Sequence, residues 1–295
     1  MPQEIGKQGE NPESEQLQSE QSQLEGPQSG CSQGKQPQDG RSQSESSQGE
    51  SLQSTGSRGA FITFEGGDGA GKSTHIKFLA RALEQCGYSV VRLREPGGTQ
   101  AGEALRQVVL DPSYEGLSAE SELLIYEAAR AQLVKEVIAP ALAAGKIVLC
   151  DRFCDSTIAY QAYGRGLSRD FVQEANLFAC QGIKPDRTVL IKAPTSARKQ
   201  LERATRAQGP DRIELAGVEF HTRVREAFDA IAASDPDRVR VVVSASRKSE
   251  TARLVFAAVA DCVGWDANKL PFDEHFFEQA NKIHGASRRK RGRQS

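Results

Sequence analysis

The first sixty residues of the chain contain no aromatic residue. They consist mainly of Gln, Ser, Gly and Glu, and such a composition cannot bury enough apolar surface to offset the entropy lost on ordering. They also lack the positively charged start and the apolar run of a secretory signal. We therefore expect residues 1–58 to form a disordered acidic tail, with a role in targeting as the alternative.

Long apolar runs and metal-binding cysteine spacings are absent as well. No run in the 295 residues approaches the length of a membrane-spanning helix, so we expect no membrane association. The six cysteines have no metal-ligand spacing, because three residues separate Cys150 from Cys154 and no histidine pair accompanies them. This pattern favours reduced thiols in a cytoplasmic protein.

The net charge of −1 conceals two tails of opposite sign. The chain ends in a basic run that includes Arg288 and Arg293, and we assign residues 266–295 to a C-terminal extension. Such a run is usually solvated, and nucleic-acid contact is the less favoured alternative. Residues 59–265, between the tails, are long enough for one well-packed domain.

A phosphate-binding motif opens this central domain. An apolar run, Phe61 to Phe64, is followed by the spacing G-x-x-x-x-G-K-S and then by apolar residues at helical spacing. In this strand, loop and helix setting, backbone N–H groups surround an anion, Lys72 reaches the β- and γ-phosphates, and Ser73 ligates Mg²⁺. The predicted ATP-binding residues are Gly66, Gly67, Asp68, Gly69, Ala70, Gly71, Lys72, Ser73 and Thr74.

Apolar runs alternate with helical patterns along the domain, which predicts a parallel sheet. The predicted strands are Phe61 to Phe64, Ser89 to Leu93, Ile147 to Cys150, Thr188 to Ile191 and Val239 to Val243. We expect an α/β fold of the three-layer P-loop NTPase type, with a five-stranded parallel sheet, helices on both faces and a short lid. Ligands of such a sheet bind beyond the carboxyl ends of its strands.

Charged residues follow the third predicted strand. Asp151 stands where P-loop proteins keep a carboxylate for Mg²⁺, so Ser73 and Asp151 are the predicted metal ligands. The planar guanidinium of Arg152 is suited to a second phosphate group, and a structural ion pair is the alternative. The turn after the second strand, Arg94 to Thr99, places further charges at this edge unless it is only a turn.

An interrupted helical pattern near residue 208 predicts a mobile lid. Arg203, Arg206 and Arg212 surround the sequence AQGPD, and arginines in a lid can close over a transferring phosphoryl group while excluding water. Solvated arginines on a helix face are the alternative. Of the residues outside the lid, Lys72, Asp151 and Arg152 are the predicted catalytic residues.

Five ordered motifs give the chain a specific resemblance. The sequences FEGGDGAGKST, REPGGT, YEAARAQL, DRFCDSTIAYQ and DRIE occur in the order typical of bacterial thymidylate kinases. The resemblance spans Ala60 to about Trp265 and implies phosphorylation of dTMP to dTDP with ATP and Mg²⁺ by direct in-line transfer. Because Gly69 stands where some eukaryotic relatives carry an arginine, it also implies that Arg203 and Arg206 of the lid supply the catalytic arginines.

The resemblance also implies a dTMP site. Asp68 resembles the residue that binds the 3′-hydroxyl, while Glu95, Arg106 and Arg152 would line the acceptor phosphate region. Tyr126 stands where the family usually has a Phe stacked on thymine. The complete predicted dTMP set is Asp68, Glu95, Arg106, Tyr126, Arg130, Arg152, Thr157, Tyr160 and Gln161.

Arg130 falls where a family arginine binds the base. Arginine carries only donors, so it pairs with the 4-carbonyl of thymine and not with the 4-amino group of cytosine. A helix-face ion pair with Glu127 is the alternative for Arg130.

The resemblance further implies a cytoplasmic homodimer, to which the long predicted helix Ser118 to Ala144 contributes. Two other functions stay open at this stage. A P-loop kinase for another nucleoside monophosphate would use the same P-loop and lid. A nucleic-acid-linked P-loop NTPase would instead use the basic C-terminal run and would turn over ATP without an acceptor.

Overall fold

A parallel five-stranded sheet lies at the centre of the computed structural model, which describes residues 58–195 and 210–283. Its strands are β1 Phe61–Glu65, β2 Val90–Arg94, β3 Ile147–Asp151, β4 Arg187–Lys192 and β5 Val239–Val243. The spatial order is β2-β3-β1-β4-β5, and every neighbouring pair is parallel. The predicted sheet is therefore confirmed, with strand ends that differ from the prediction by at most one residue.

Helices connect the strands. They are α1 Lys72–Gln85, α2 Gln100–Leu110, α3 Ala119–Leu133, α4 Ala139–Ala143, α5 Cys154–Thr157, α6 Arg169–Cys180, α7 Val218–Ser234, α8 Lys248–Val259 and α9 Glu274–Glu278. Val134–Ile138 and Ile158–Gly164 are π-helical, and Pro112–Tyr114, Glu214–Ala216, Ala260–Val263 and Gln279–Lys282 are 3₁₀-helical. Among the described residues, no helix has the length and apolar character needed to cross a membrane.

The inner strands β1, β3 and β4 are buried on both faces, as their near-continuous apolar sequences require. In β1, Ile62 and Phe64 pack into a cluster with α1 and α8, whereas Phe61 packs into a second cluster with α4 and the π-helical turn before it. This alternation is the two-residue period of an extended strand. These three strands are thus packed on both sides, and the loops at their carboxyl ends start from a rigid base.

The long helix predicted between Ser118 and Ala144 forms as α3, the π-helical turn and α4 in continuous succession. The Ser118 hydroxyl accepts a hydrogen bond from the backbone N–H of Ser121, which caps the first turn. Gly145 has a φ of 70°, so it ends the helix in the left-handed conformation that glycine adopts most readily. This helix carries both Tyr126 and Arg130 to the site described below.

The C-terminal segment up to residue 283 packs against α1 and α8. The rings of Phe276 and Phe277 from α9 contact Phe78 of α1 and Phe256 of α8, with centroid distances of 4.9–6.3 Å. The Lys248 ammonium also donates to the backbone carbonyl of Ile283. Since α1 begins in the phosphate-binding motif, this aromatic cluster supports the helix that presents the P-loop.

Replacement of Phe277 by alanine is expected to lower the free energy of unfolding by about 3–4 kcal/mol. The Phe277 ring is fully buried in the aromatic cluster, so truncation leaves a cavity between α1 and α8. Denaturant unfolding measures the loss. Leu254→Ala is the matched control, because Leu254 lies on α8 but is about half exposed, and its replacement should change stability by less than about 1 kcal/mol.

Candidate active site

A cavity of about 480 Å³ opens at the carboxyl ends of β1, β2 and β3. This is the edge at which parallel α/β sheets bind their ligands. The predicted site residues that line it are Asp68, Gly69, Gly71, Lys72, Ser73, Thr74, Glu95, Arg106, Tyr126, Arg130, Asp151, Arg152, Thr157, Tyr160 and Gln161. The structure therefore brings the P-loop and the second group of predicted residues to one cavity.

The P-loop has the backbone geometry that its glycines permit. Gly66, Gly69 and Gly71 all have positive φ values, of 125°, 75° and 99°. A Cβ atom on Gly66 would lie only 2.2 Å from the carbonyl oxygen of Ile191, so no other residue fits there without displacing β4. The motif is thus held in a turn of the kind that presents backbone N–H groups to phosphate oxygens, and the Ala70 N–H closes the turn on the Gly67 carbonyl oxygen at 3.3 Å.

Lys72 is buried at the start of α1 and its ammonium lies over the P-loop. The Nζ atom donates to the carbonyl oxygens of Gly66, at 2.9 Å, and Gly67, at 3.1 Å. Burial lowers the pKa of Lys72, and the neighbouring Arg152 guanidinium lowers it further. Two cations that repel each other in one cavity are arranged to receive an anion of high charge.

Ser73 and Asp151, the predicted metal ligands, are in direct contact. The Ser73 hydroxyl donates to Oδ2 of Asp151 at 2.8 Å, and this bond joins the start of α1 to the end of β3. A hydroxyl and a carboxylate oxygen are ligands that Mg²⁺ accepts, usually together with phosphate oxygens and water. The described residues include no group of three or more His, Cys, Asp or Glu side chains placed to hold a metal ion.

Arg152 contacts both the P-loop and the residues predicted to bind dTMP. Its φ of 72° is left-handed, which is unusual for a residue with a side chain. The guanidinium donates to Oδ1 of Asp68 at 2.5 Å and lies 5.0 Å from the centre of the Tyr160 ring. Burial acts to raise the pKa of Asp68, but Arg152 and Lys72 together hold it below its usual range. Asp68 is therefore a carboxylate acceptor at neutral pH.

Glu65, a residue that the sequence reasoning did not single out, fixes the turn that carries Arg152. Its buried carboxylate accepts from the backbone N–H groups of Phe153, at 2.8 Å, and Ser156, at 3.2 Å, and from the Ser156 hydroxyl at 2.6 Å. These bonds cap α5 from the end of β1. An acidic residue at the end of an apolar strand was the available signal, although the sequence did not reveal its partners.

We predict a pH-dependent effect of Glu65→Gln. Burial, reinforced by Asp155, raises the pKa of Glu65 from 4.5 to about 7. As the pH rises, the Glu65 carboxyl ionises near pH 4.5 in the unfolded chain but only near pH 7 in the folded chain. The stability that the neutral carboxyl contributes to the fold is therefore present below pH 4.5 and is lost as the pH rises towards 7. Glutamine does not ionise. Between pH 4.5 and 8, the wild type should lose roughly 2–3 kcal/mol relative to the variant in denaturant unfolding. A constant difference across this range would contradict the assignment.

Arg130 is fully buried beneath the cavity and holds a network of acidic and amide partners. Its Nε and Nη2 atoms donate to Oε2 of Glu95, at 2.9 Å and 2.7 Å, and its Nη1 donates to Glu127 and Asn176. Arginine has five N–H donors, so one N–H of Nη2 is left for a ligand. The ion pair with Glu127, which was the alternative role for Arg130, is thus present, but it is buried rather than exposed on a helix face. Arg130 and Glu95 of the same network also line the cavity.

Glu95 and Arg106 mark the β2 side of the cavity. Burial raises the pKa of Glu95 to about 7 even though Arg130 opposes the shift. Arg106 donates to the carbonyl oxygen of Pro96 at 3.0 Å, and burial together with the nearby Arg94 lowers its pKa. The motif after β2 is therefore more than a turn, because its backbone orients a cation at the cavity.

The lid region is described only in part. Arg203 and Arg206 lie outside the described residues, so their predicted role stays a prediction. Arg212, the third arginine beside the predicted lid, is buried and forms an ion pair with Glu122. Asp211 and Glu214, which were not predicted, line the cavity at this side, and burial raises the pKa of both.

The chain is similar in sequence and in structure to several known proteins. A family model described as "Thymidylate kinase" matches residues 64–254. A protein named thymidylate kinase from Pelobacter propionicus is 48% identical over 204 residues, which cover 67% of this chain and 92% of that one. A second, from Trichlorobacter lovleyi, is 44% identical and is covered over 95% of its length. The crystal structure of thymidylate kinase from Ehrlichia chaffeensis superposes with a TM-score of 0.52 at 36% identity and covers 64% of this chain and 89% of that one.

Proposed function

The chain belongs to the thymidylate kinase family, and we propose that the cavity at the P-loop binds dTMP beside the phosphates of ATP. The enzyme is an ATP-dependent dTMP kinase that produces dTDP. One observation supports the placement most strongly: a single cavity is lined both by Lys72 and Ser73 of the P-loop and by Tyr126 and Arg130 of α3. Arg152 lines the same cavity and contacts both Asp68 of the P-loop and Tyr160, and the donor and acceptor phosphates are proposed to meet at its guanidinium.

The geometry favours catalysis by alignment and charge neutralisation. The acceptor phosphate of dTMP is already an anion, so no strong general base is needed to activate it. Lys72 would hold the transferring phosphoryl group of ATP, and Arg152 would hold the acceptor phosphate in line with it. Both cations are fixed by neighbours before substrate arrives, so little reorganisation is required during transfer. Arg203 and Arg206 are proposed to complete the site from the lid.

Ser73 and Asp151 are the residues proposed to hold Mg²⁺. Their oxygens already lie within hydrogen-bond distance of each other and fit the preference of this ion for hard oxygen ligands. When bound, the ion would neutralise charge on the phosphates of ATP. The chain's own contribution is to place the two oxygens at the junction of α1 and β3.

Selection of the nucleobase is proposed to depend on the part of the cavity that Tyr126 and Arg130 line. The remaining N–H of Arg130 can donate to the 4-carbonyl of thymine but offers nothing to the 4-amino group of cytosine. Tyr126 lies one helical turn before Arg130 on α3 and also lines the cavity. Its ring is proposed to stack on the base. Asp68 would accept a hydrogen bond from the 3′-hydroxyl, and Tyr160 would lie against the sugar.

The test of this function is ADP release from Mg·ATP with dTMP, dUMP, dCMP, dGMP, UMP or no acceptor. We expect strong turnover with dTMP, weak turnover with dUMP and negligible turnover with dCMP. A preference for another nucleotide would favour the kinase alternative. Turnover that needs no acceptor would favour a nucleic-acid-linked NTPase, whose ATP turnover would in turn respond to added DNA and to salt.

We propose that the enzyme is a homodimer that uses the exposed apolar face of α3 and α6. Phe178 is 86% exposed, and Phe171 lies two turns before it on the same face of α6. Leu124 of α3 and Leu177 of α6 are also more than half exposed. An apolar face of this kind on two neighbouring helices is typical of a surface that a partner covers.

Phe178→Asp is expected to convert the dimer into a monomer. A carboxylate in the centre of an apolar interface would have to be desolvated without a partner, which disfavours association. Sedimentation velocity measures the mass directly, with Val241→Asp as the control on the exposed edge strand β5. A wild-type chain that sediments as a monomer would contradict the proposal.

We also propose a cytoplasmic location, because the five cysteines among the described residues form no disulfide bond, as is usual for thiols in the cytoplasm.

A further inference from the structure

A buried carboxylate on α3 joins two walls of the cavity, although it does not itself line it. Glu122 is fully buried and accepts hydrogen bonds from Gln161 and Arg165, which lie on one segment of the chain, and from Arg212, which lies on another. Burial of a charged carboxylate lowers the stability of the fold unless hydrogen-bond donors satisfy its oxygen lone pairs. Glu122 therefore joins the two segments through hydrogen bonds that an apolar residue in its place could not form.

The first wall is the π-helical turn that carries Gln161. The Nε2 atom of Gln161 donates to Oε1 of Glu122 at 2.8 Å, and Gln161 lines the cavity. A flipped amide would place its oxygen against the carboxylate, where two acceptors repel each other. Glu122 thus fixes the amide so that its carbonyl oxygen is left for a ligand.

The second wall follows the lid. Arg212 donates from Nη2 to Glu122 and from Nε to the carbonyl oxygen of Val109 at 2.9 Å. Its neighbours in sequence, Asp211 and Ile213, line the cavity. The same carboxylate consequently holds the segment after the lid against α2 and α3.

The electrostatics keep Glu122 in its charged form. Burial acts to raise its pKa, but the hydrogen bonds from Arg165 and Gln161 and the charge of Arg165 hold the pKa below the ordinary value. Glu122 is thus an acceptor for all three partners at neutral pH. A glutamine in its place would offer one oxygen and one NH₂ group, and the two cations would compete for that oxygen.

We propose that Glu122 is a positioning residue for selection of the nucleobase. It holds the Gln161 amide so that its carbonyl oxygen accepts a hydrogen bond from N3–H of the pyrimidine. Thymine carries a hydrogen at N3, whereas cytosine presents an acceptor there and would leave two acceptors opposed. This inference rests on the proposal that the cavity binds dTMP.

Glu122→Gln tests the role through a split between the two substrates. We expect KM for dTMP to rise about tenfold, the preference for dTMP over dCMP to fall about tenfold, and KM for ATP to change less than twofold. Asp155→Asn is the matched control. Asp155 is an equally buried carboxylate that forms a 2.7 Å ion pair with Arg238 and does not line the cavity. It should lose stability without losing the preference for dTMP.

A double-mutant cycle with Gln161→Ala separates positioning from general damage. If Glu122 acts through Gln161, the substitution E122Q should change KM for dTMP less than twofold once Gln161 is absent. Additive effects of the two substitutions, equal changes in both KM values, or the same loss of preference in D155N would overturn the proposal. If E122Q does not fold, Glu122→Asp keeps the charge but withdraws the carboxylate by one methylene, and the same rise in KM is required of it.

The turnover of the wild-type enzyme tests the proposed function, whereas the kinetics of E122Q test only the role of Glu122. A wild-type enzyme without dTMP-dependent turnover would overturn the function, and the role of Glu122 with it. A wild-type enzyme that phosphorylates dTMP, combined with an E122Q variant of unchanged KM and unchanged preference, would overturn only the positioning role.

Discussion

Replacement of Lys72 by methionine is expected to lower kcat by about 10³-fold while the fold is retained. Methionine keeps much of the apolar stem that packs at the start of α1, so the loss falls on the ammonium group. That group lies within 3.1 Å of two P-loop carbonyls, close to where the β- and γ-phosphates of ATP are proposed to bind. Steady-state ADP release at saturating dTMP measures the effect.

Lys77→Met is the matched control for this prediction. Lys77 lies on the same helix but faces solvent, so its replacement should leave kcat within about twofold. Thermal unfolding of both variants checks that α1 is intact. A loss in K72M of less than tenfold would mean that the ammonium does not contact the transferring phosphoryl group.

Replacement of Arg152 by methionine is expected to lower kcat/KM for dTMP by about 10³-fold with little change in KM for ATP. The substitution removes the cation between the two halves of the cavity, its 2.5 Å bond to Asp68 and its contact with Tyr160. Lysine at this position should restore only part of the activity, because an ammonium cannot bind a phosphate with the two parallel bonds of a guanidinium.

The same variant has a signature in its pH dependence. Arg152 is the foremost of the two cations that hold the pKa of Asp68 low, so its removal should raise that pKa. The acid limb of the kcat/KM profile for dTMP should then move to higher pH in R152M. Arg169→Met is the control, since Arg169 lies over the Tyr163 ring at 5.2 Å but outside the cavity. Equal losses in the two variants would contradict the assignment.

The parts of the fold that the sequence predicted are those determined by local patterns. The P-loop spacing and the five apolar runs are each readable within about ten residues, because glycine positions and strand periodicity are local properties. The long helix predicted from Ser118 to Ala144 also depends on a local signal, since Gly145 follows it in the left-handed conformation that ends a helix. These elements required no knowledge of which residues meet in space.

The networks around the site could not be predicted in this way. Glu65 contacts residues 88 and 91 positions further along the chain, and Glu122 contacts Arg212 at a separation of 90. Nothing in the neighbouring sequence distinguishes these carboxylates from solvated ones. Arg212 illustrates the opposite problem. It lies beside the predicted lid, which suggested a phosphate contact, but its side chain is buried and forms an ion pair with Glu122 instead.

The C-terminal segment shows how composition alone is ambiguous. The sequence around Phe272 and Phe276 was separated from the domain at residue 265, because charged residues interrupt its apolar pattern. In the structure, both rings pack into the cluster that contains Phe78 and Phe256. Single aromatic residues in a polar segment bury a large area each, so a short segment of this kind can dock against a folded core.

A crystal structure of the enzyme with dTMP and ADP would show directly where the acceptor binds. We expect the dTMP phosphate to lie within hydrogen-bond distance of the Arg152 guanidinium. We also expect the thymine ring to lie against Tyr126, with its 4-carbonyl facing Arg130. A dTMP molecule bound outside this cavity, or bound with its phosphate away from Arg152, would contradict the proposed acceptor site.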